Sequence, residues 1–299
     1  MSPPAGVQPA EVLRVDLSAL PPGARRTQAT VLASLPGLLS TGARPGMDQA
    51  GPGIAVVDGT AVGWPARVAR AVAEGRRGVL VAAPTTVPTG EAADVAEQAG
   101  GAGCPVVLAL PAQFDPSVRA GLASFRASAT TLSLVGSLVT VPADGTAQPG
   151  RSLLRTGLLA QLAAVRAAAG RLSGLEFSRD TADGYLATAR AGAATVMLSG
   201  LLSAVRGYLL QVDLVGVSGR CRIRLPDTPS AAPAFVESYA AAGMTLLRLS
   251  YAGGLRAAWV NLHAAITAAE PVHYGLPELA HDLAMVPVTS QAGDINDQC

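Results

Sequence analysis

The chain changes its periodicity partway along, and that change restricts its architecture more than any single motif. Through about residue 120, short apolar runs alternate with amphipathic helix patterns. Val12 to Leu17, Ile54 to Val57, Val79 to Ala82 and Cys104 to Leu110 read as strands. Arg25 to Leu38, Pro65 to Glu74 and Thr89 to Ala99 read as helices, with Ser40 to Gly53 a Gly/Pro-rich loop. Strands spaced by helices of this length predict a parallel, doubly wound sheet. Pro65 suits a first helical turn, and Thr89 suits an N-cap, with Glu91 near the positive helix end.

Beyond a helix at about Ser152 to Ala169, period-two segments take over. Tyr185 to Ala189, Ala194 to Leu198, Leu209 to Val215, Cys221 to Leu225 and Thr245 to Tyr251 read as strands. Asp213, Arg222, Arg224 and Arg248 punctuate apolar runs, as in a sheet with one wet face. The expected class is α/β followed by α+β: a parallel sheet domain over residues 1–120, then an open, mainly antiparallel sheet domain over 121–285. The gap near 120–150 marks the change, and 286–299 form a polar tail.

Composition removes several functions. All 22 Lys+Arg residues are arginine, so no lysine is present for acid–base or Schiff-base chemistry. Richness in Ala, Gly, Pro and Arg suggests a GC-rich, actinobacterial genome. With 49% hydrophobic and 14% charged residues, the 299-residue chain is globular. Net charge is +1 and no basic stripe carries interleaved aromatics, so nucleic acid is not an expected partner. The most apolar helical stretch, Leu153 to Ala169, is broken by Arg155, Gln161 and Arg166, which argues against a membrane span. The first residues lack a signal-peptide pattern, and a cytoplasmic location is expected. Cys104, Cys221 and Cys299 are odd in number and widely spaced, so no disulfide framework or metal site is expected.

The run Arg77-Gly-Val-Leu-Val-Ala-Ala-Pro84, an acidic Ala-rich helix, Cys104 to Leu110 and Phe114-Asp-Pro-Ser-Val-Arg119 follow in order. This combination resembles the Gfo/Idh/MocA family, whose members read H-V-L-V-E-K-P, V-P-x-x-V and R-F-D-P-A-V-R at this spacing. Asp183 to Leu225 is similar to the family's sheet region, with Gly216 to Gly219 where G-T-x-G is usual. The resemblance covers most of residues 12–285. It implies a Rossmann-like first domain, here truncated, and association with a second copy or a heteromeric partner through the C-terminal sheet.

Against that family pattern, the chemistry-bearing positions are altered. Ala19-Leu-Pro-Pro-Gly23-Ala24 stands where G-x-G-x-x-G is expected, and Pro21 and Pro22 offer no N–H to a pyrophosphate. The segment from Leu38 to Ile54 is too short for a full strand-helix-strand passage, and Asp48 is only a loop acid. The family's E-K-P falls on Ala82-Ala83-Pro84. Its D-x-G-x-H falls on Arg155-Thr-Gly-Leu-Leu159, so neither the lysine nor the histidine is present. The expectation is therefore no cofactor and no redox chemistry.

The remaining candidates are Arg155, Asp58 and His273 as catalytic groups, and Trp64, Thr85, Gln113 and Gln161 as substrate contacts. Arg155 reads as an anion or carbonyl clamp, or as an arginine paired with a nearby acid. Asp58 reads as a base or an Arg partner, Trp64 as a stacking platform or ordinary packing, and Thr85 as a ligand contact or turn residue. Asp115 reads as a helix cap and His263 as an edge-packing residue. Two functions are expected. One is a cofactor-independent enzyme of specialised metabolism acting on a largely apolar small molecule by cyclisation, dehydration, conjugate addition or isomerisation. The other is a pseudoenzyme subunit of an active homologue.

Overall fold

The structure is a computed structural model that describes residues 13–41, 53–128, 131–142, 150–204, 209–225, 233–247 and 253–286. Five parallel strands form the first sheet: β1 (Leu13–Asp16), β2 (Leu38–Thr41), β3 (Ile54–Asp58), β4 (Gly78–Ala82) and β5 (Val106–Ala109). Their order is β2-β1-β3-β4-β5, so the winding direction reverses between β1 and β3. Helices α1 (Pro22–Leu32), α2 (Trp64–Ala73) and α3 (Thr89–Gly101) complete this layer. Every residue of β4 is buried, which explains why the central strand reads as an unbroken apolar run.

Two expectations here are corrected. The first helix was expected to reach Leu38, but it stops at Leu32. Pro36 and Gly37 turn the chain, with Gly37 at φ 83° and its carbonyl taking the Leu13 N–H at 2.8 Å. Leu38–Thr41 is then free to pair with β1 as an edge strand. Thr89 is the first helical residue and not the cap; Pro88 occupies that position and no side chain closes the turn. Asp48 lies outside the described residues.

A short helix α4 (Pro111–Phe114) and α5 (Pro116–Ser128) lead out of the first sheet. Asp115 caps α5 as expected, accepting the Ser117 N–H at 2.8 Å. The second sheet has eight strands interrupted by one long helix. They are β6 (Leu132–Pro142), α6 (Gly150–Ala169), β7 (Leu172–Asp180), β8 (Gly184–Ala191), β9 (Ala194–Ser203), β10 (Leu209–Gly216), β11 (Gly219–Leu225), β12 (Phe235–Ala240) and β13 (Gly243–Leu246). The order is β13-β12-β11-β10-β6-β9-β8-β7, antiparallel except where β6 meets β9. This is the open, mainly antiparallel sheet that was expected.

The stretch near 120–150, expected to be a gap, contains β6, a central strand of that sheet. Its outer face carries Leu134 and Leu138 rather than polar residues, so the alternation that signals a strand is blurred. The last expected strand, Thr245 to Tyr251, is shifted: β13 ends at Leu246, and Arg248 lies outside the described residues.

α5 and α6 cover one face of the second sheet, and Val118, Leu158, Leu162, Val196 and Val212 belong to one buried cluster. The chain then returns through α7 (Gly254–Thr267) and α8 (Leu276–Met285). Trp259, Leu262, Tyr274 and Leu279 join the cluster of the first sheet. The 121–285 span thus contains two helices that pack with the first unit. None of the helices is long and apolar enough to cross a membrane, among the described residues.

α6 also carries the seam between the units. Leu159 and Ala163 join the first cluster, whereas Leu158, Leu162 and Val165 join the second. One end is fixed by Asp282 of α8, which is 0% exposed. An Arg166 Nη2 N–H is directed at Asp282 Oδ1, Arg166 Nε lies 3.3 Å from Oδ2, and the Tyr274 hydroxyl donates to Oδ2 at 2.9 Å. Burial and the Asp282 charge push the Tyr274 phenol well above its usual range, so it remains a donor. Removing one member of a buried pair leaves the other charge uncompensated. Asp282→Asn is therefore expected to lower unfolding free energy by about 3 kcal/mol in urea titrations.

Candidate functional site

Ligands of doubly wound sheets bind beyond the carboxyl ends of the strands, so the site is built from the loops that leave β1, β3, β4 and β5 and from the facing helix α6. The turn after β1 is tight. Ser18 N–H donates to Asp16 Oδ1 at 2.9 Å, and Leu20 N–H to Leu17 O at 3.1 Å. Leu20 points into the core, and Arg25 Nη2 donates to both Ser18 O and Leu20 O at 3.0 Å. Pro21 is the N-cap of α1 and Pro22 its first residue. A dinucleotide pyrophosphate needs backbone N–H groups at this turn. The two prolines supply none and the Arg25 side chain closes the turn, so these residues do not fit that group.

The loops after β3 and β4 are stitched together. Asp58 Oδ1 accepts the Thr60 N–H at 3.0 Å and the Thr60 hydroxyl at 2.7 Å, which makes it a turn residue. Thr85 donates its N–H at 3.1 Å and its hydroxyl at 2.8 Å to Gly59 O. Gly59 sits so close to the next loop that a Cβ would come 2.5 Å from Pro84 Cα. Trp64 is 1% exposed and its indole N–H points to Thr85 O at 3.4 Å, so it packs in the core and is no stacking platform. Beside it, exposed Ala83 holds φ 48°, a left-handed conformation costly for a residue with a Cβ.

Gln113 and His273 form a second group at the outer edge of β5. Gln113 is 5% exposed; its Nε2 lies 3.4 Å from His273 O, and its Oε1 is buried without a partner among the described residues. The His273 ring stacks on Phe114 with centroids 6.4 Å apart, and an Arg119 N–H is directed at His273 Nδ1. A guanidinium only donates, so Nδ1 accepts and Nε2 carries the proton. Burial, and then the Arg119 charge, hold the His273 pKa below its usual value. The ring is thus a neutral donor near pH 7, with its Nδ1 taken up by Arg119.

On α6, Arg155 Nη2 pairs with Asp180 Oδ2 at 3.0 Å, and the guanidinium lies 5.6 Å from the Phe177 ring centroid. Its Nη1 is buried and has no partner among the described residues. Gln161 is 0% exposed and fully engaged. Its Nε2 donates to Ser199 O at 2.9 Å and Ser137 Oγ at 3.2 Å, while Oε1 accepts the Tyr185 hydroxyl at 2.5 Å. This network seals α6 to its sheet, which removes Gln161 as a substrate contact. Leu159, which the sequence resemblance aligns with a histidine, is buried in the first core.

The candidates therefore separate into Asp58–Trp64–Thr85, Gln113–His273, and Arg155 alone, with Gln161 inside the second unit. Asp180 and Phe177, the partners of Arg155, were not anticipated. Register shifts in β7 between Ser173 and Glu176 and between Phe177 and Arg179 break the alternation that would have marked the strand.

No family model matches this chain, and no curated protein matches it. Solved structures do. The chain is similar to KijD10, a 3-ketoreductase from Actinomadura kijaniata solved with NADP and TDP-benzene, at 14% identity and TM-score 0.70, covering 91% of this chain and 95% of that one. It is similar to a protein from Desulfitobacterium hafniense assigned as an NADPH-dependent oxidoreductase, at 9% identity and TM-score 0.76, with 92% and 93% covered. A dehydrogenase from Chromobacterium violaceum is similar at 12% identity and TM-score 0.69, with 92% and 93% covered. At such identities the likeness is one of fold: the two-domain architecture of Gfo/Idh/MocA-like oxidoreductases.

A lowered histidine pKa means that the unfolded chain binds a proton at higher pH than the native one. Its contribution to stability is full above about pH 6.5 and declines as pH falls below that value. Unfolding in urea at pH 7.5 and 5.5 is expected to show a smaller acid-side loss for His273→Asn than for the natural chain.

Proposed function

We propose that this chain is a redox-silent scaffold of the Gfo/Idh/MocA-like type that serves as an assembly subunit. It would join another copy or a homologous, active oxidoreductase through the outer face of the second sheet. The observation that carries this reading is the apolar character of that uncovered face. Met197 and Leu201 of β9 are 44% and 49% exposed, and Met244 and Leu246 of β13 are 62% and 53% exposed. Leu186 of β8 and Phe235 of β12 extend the same face. At its centre Asp213 takes Arg220 Nη2 at 2.7 Å and Arg222 Nε at 3.0 Å, and Arg224, Glu237 and Tyr239 share the face, so a charged centre with an excess of arginine separates two apolar margins. Apolar patches mixed with arginine are characteristic of protein interfaces. The closed turn after β1, with its two prolines and the Arg25 side chain, supports the redox-silent part of the reading.

A second reading remains, because two buried polar atoms lack partners. Arg155 Nη1 is a donor and Gln113 Oε1 an acceptor, and a ligand's carbonyl and N–H or O–H would satisfy them. This favours a cofactor-independent enzyme acting on a largely apolar small molecule by cyclisation, dehydration, conjugate addition or isomerisation. Turnover of such a compound without cofactor, lost in Arg155→Ala, would establish it.

The subunit reading is tested by light scattering and calorimetry on the purified chain, alone and co-expressed with an intact homologue. The expected result is a dimer or heteromer that Met197→Asp with Leu201→Asp dissociates, and no heat on titration with NADPH or NADH. A monomer under both conditions overturns the assembly role. Micromolar NADPH binding overturns redox silence.

A further inference from the structure

A hollow of about 500 Å3 opens on the flank of the first sheet, away from the stitched β3 and β4 loops. Its floor is Ala55, Val56 and Val57 of β3 with Ala19 from the turn after β1. Arg67, Arg70 and Ala71 of α2 form one wall, and Asp16, Glu74 and Arg76 close the end. The position is the β1/β3 boundary, on the face of the sheet that α2 occupies. A volume of this order lies within the roughly 300–1,000 Å3 typical of small-molecule sites.

The charges around the hollow are unevenly compensated. Arg76 is shared between two carboxylates, Asp16 at 3.7 Å and Glu74 at 3.6 Å, so the closed end is balanced or slightly negative. Burial acts to raise the Asp16 pKa, but hydrogen bonds from Ser18 and the charges of Arg76 and Arg25 outweigh it and keep the group ionised. Arg67 and Arg70 stand three residues apart and so project from the same side of α2. Neither forms an ion pair or side-chain hydrogen bond with another described residue. Two adjacent guanidinium groups beside an apolar floor match one oxyanion attached to an apolar body.

We propose that this hollow binds a small organic molecule that carries a single anionic group. Its phosphate or carboxylate sits between Arg67 and Arg70, and its apolar body lies against Ala19, Ala55 and Val57. Asp16 and Glu74 repel a second anionic group at the far end, so molecules charged at both ends are rejected. The site shares only the turn after β1 with the carboxyl-edge groups, and it stands or falls separately from both functional readings above.

The probes are phenyl phosphate, benzoate and inorganic phosphate, titrated calorimetrically into the full chain at constant ionic strength in a phosphate-free buffer. Saturable binding is expected for at least one aromatic anion, about fivefold or more tighter than for inorganic phosphate because of the apolar floor. Phenyl phosphate and benzoate distinguish a phosphate ester from a carboxylate as the preferred group. Arg67→Ala with Arg70→Ala is expected to weaken that binding by at least about tenfold, with an unchanged melting temperature, since both side chains are exposed. The proposal is overturned by an absence of saturation up to about 10 mM, a weak limit for any specific site. Equal affinity in the double variant, or inorganic phosphate binding as tightly as phenyl phosphate, overturns it as well.

Discussion

Helix α6 belongs to two cores at once, and the buried pair of Arg166 with Asp282 fixes it there. Leu158 and Leu162 commit one side of the helix to the second sheet, while Leu159 and Ala163 commit the other to the first. A charged guanidinium in this position needs a carboxylate, and Asp282 reaches it only if α8 has folded back against the first sheet. Tyr274 then fills the remaining acceptor capacity of the same carboxylate. About three helical turns earlier, Arg155 and Asp180 repeat the arrangement between α6 and the edge strand β7. Both ends of the helix flank are thereby held, and the carboxyl edge of the first sheet faces a fixed wall.

That wall explains how the edge reads as chemistry. Where the sequence resemblance leads one to expect proton or hydride chemistry, the chain holds Ala83, Leu159 and an Arg155 paired with Asp180, and the neighbouring polar groups are used for construction. Asp58 shapes a turn, Thr85 ties two loops, and Gln161 seals helix to sheet. Polar groups engaged in this way lose the freedom to rearrange around a reacting molecule. Among the buried side-chain atoms of the described residues, what stays unengaged is small: one guanidinium nitrogen and one carboxamide oxygen. The exposed Met197, Leu201, Met244 and Leu246 of the second sheet are the larger unsatisfied feature, and they support the proposed assembly role.

Much of the fold was legible in the residues because the two periodicities are physical signatures of parallel and open sheets. The central apolar run of β4 and the alternation in β8, β9 and β11 follow from burial on two faces or one. Legibility failed where local pattern and tertiary role diverge. β6 carries leucines on its uncovered face, β7 is interrupted by bulges, and β2 is a four-residue edge strand behind a Pro-Gly turn. The site was less legible. Trp64, Thr85 and Gln161 have the right chemistry for ligand contacts, and only their partners show that it serves packing. Asp180, the partner of Arg155, lies 25 residues further along the chain, and no local pattern marks such a pairing.

The return of α7 and α8 to the first sheet has a consequence for how the protein emerges from the ribosome. Strands β1 to β5 leave the exit tunnel early with α1, α2 and α3, yet the rest of the layer covering them is not synthesised until Leu279 and Leu283 appear. The second sheet, by contrast, has its own helices in hand once β13 is complete. The later segment of the chain is therefore able to fold first. The earlier segment waits with part of its apolar surface uncovered for the time taken to translate more than half of the polypeptide.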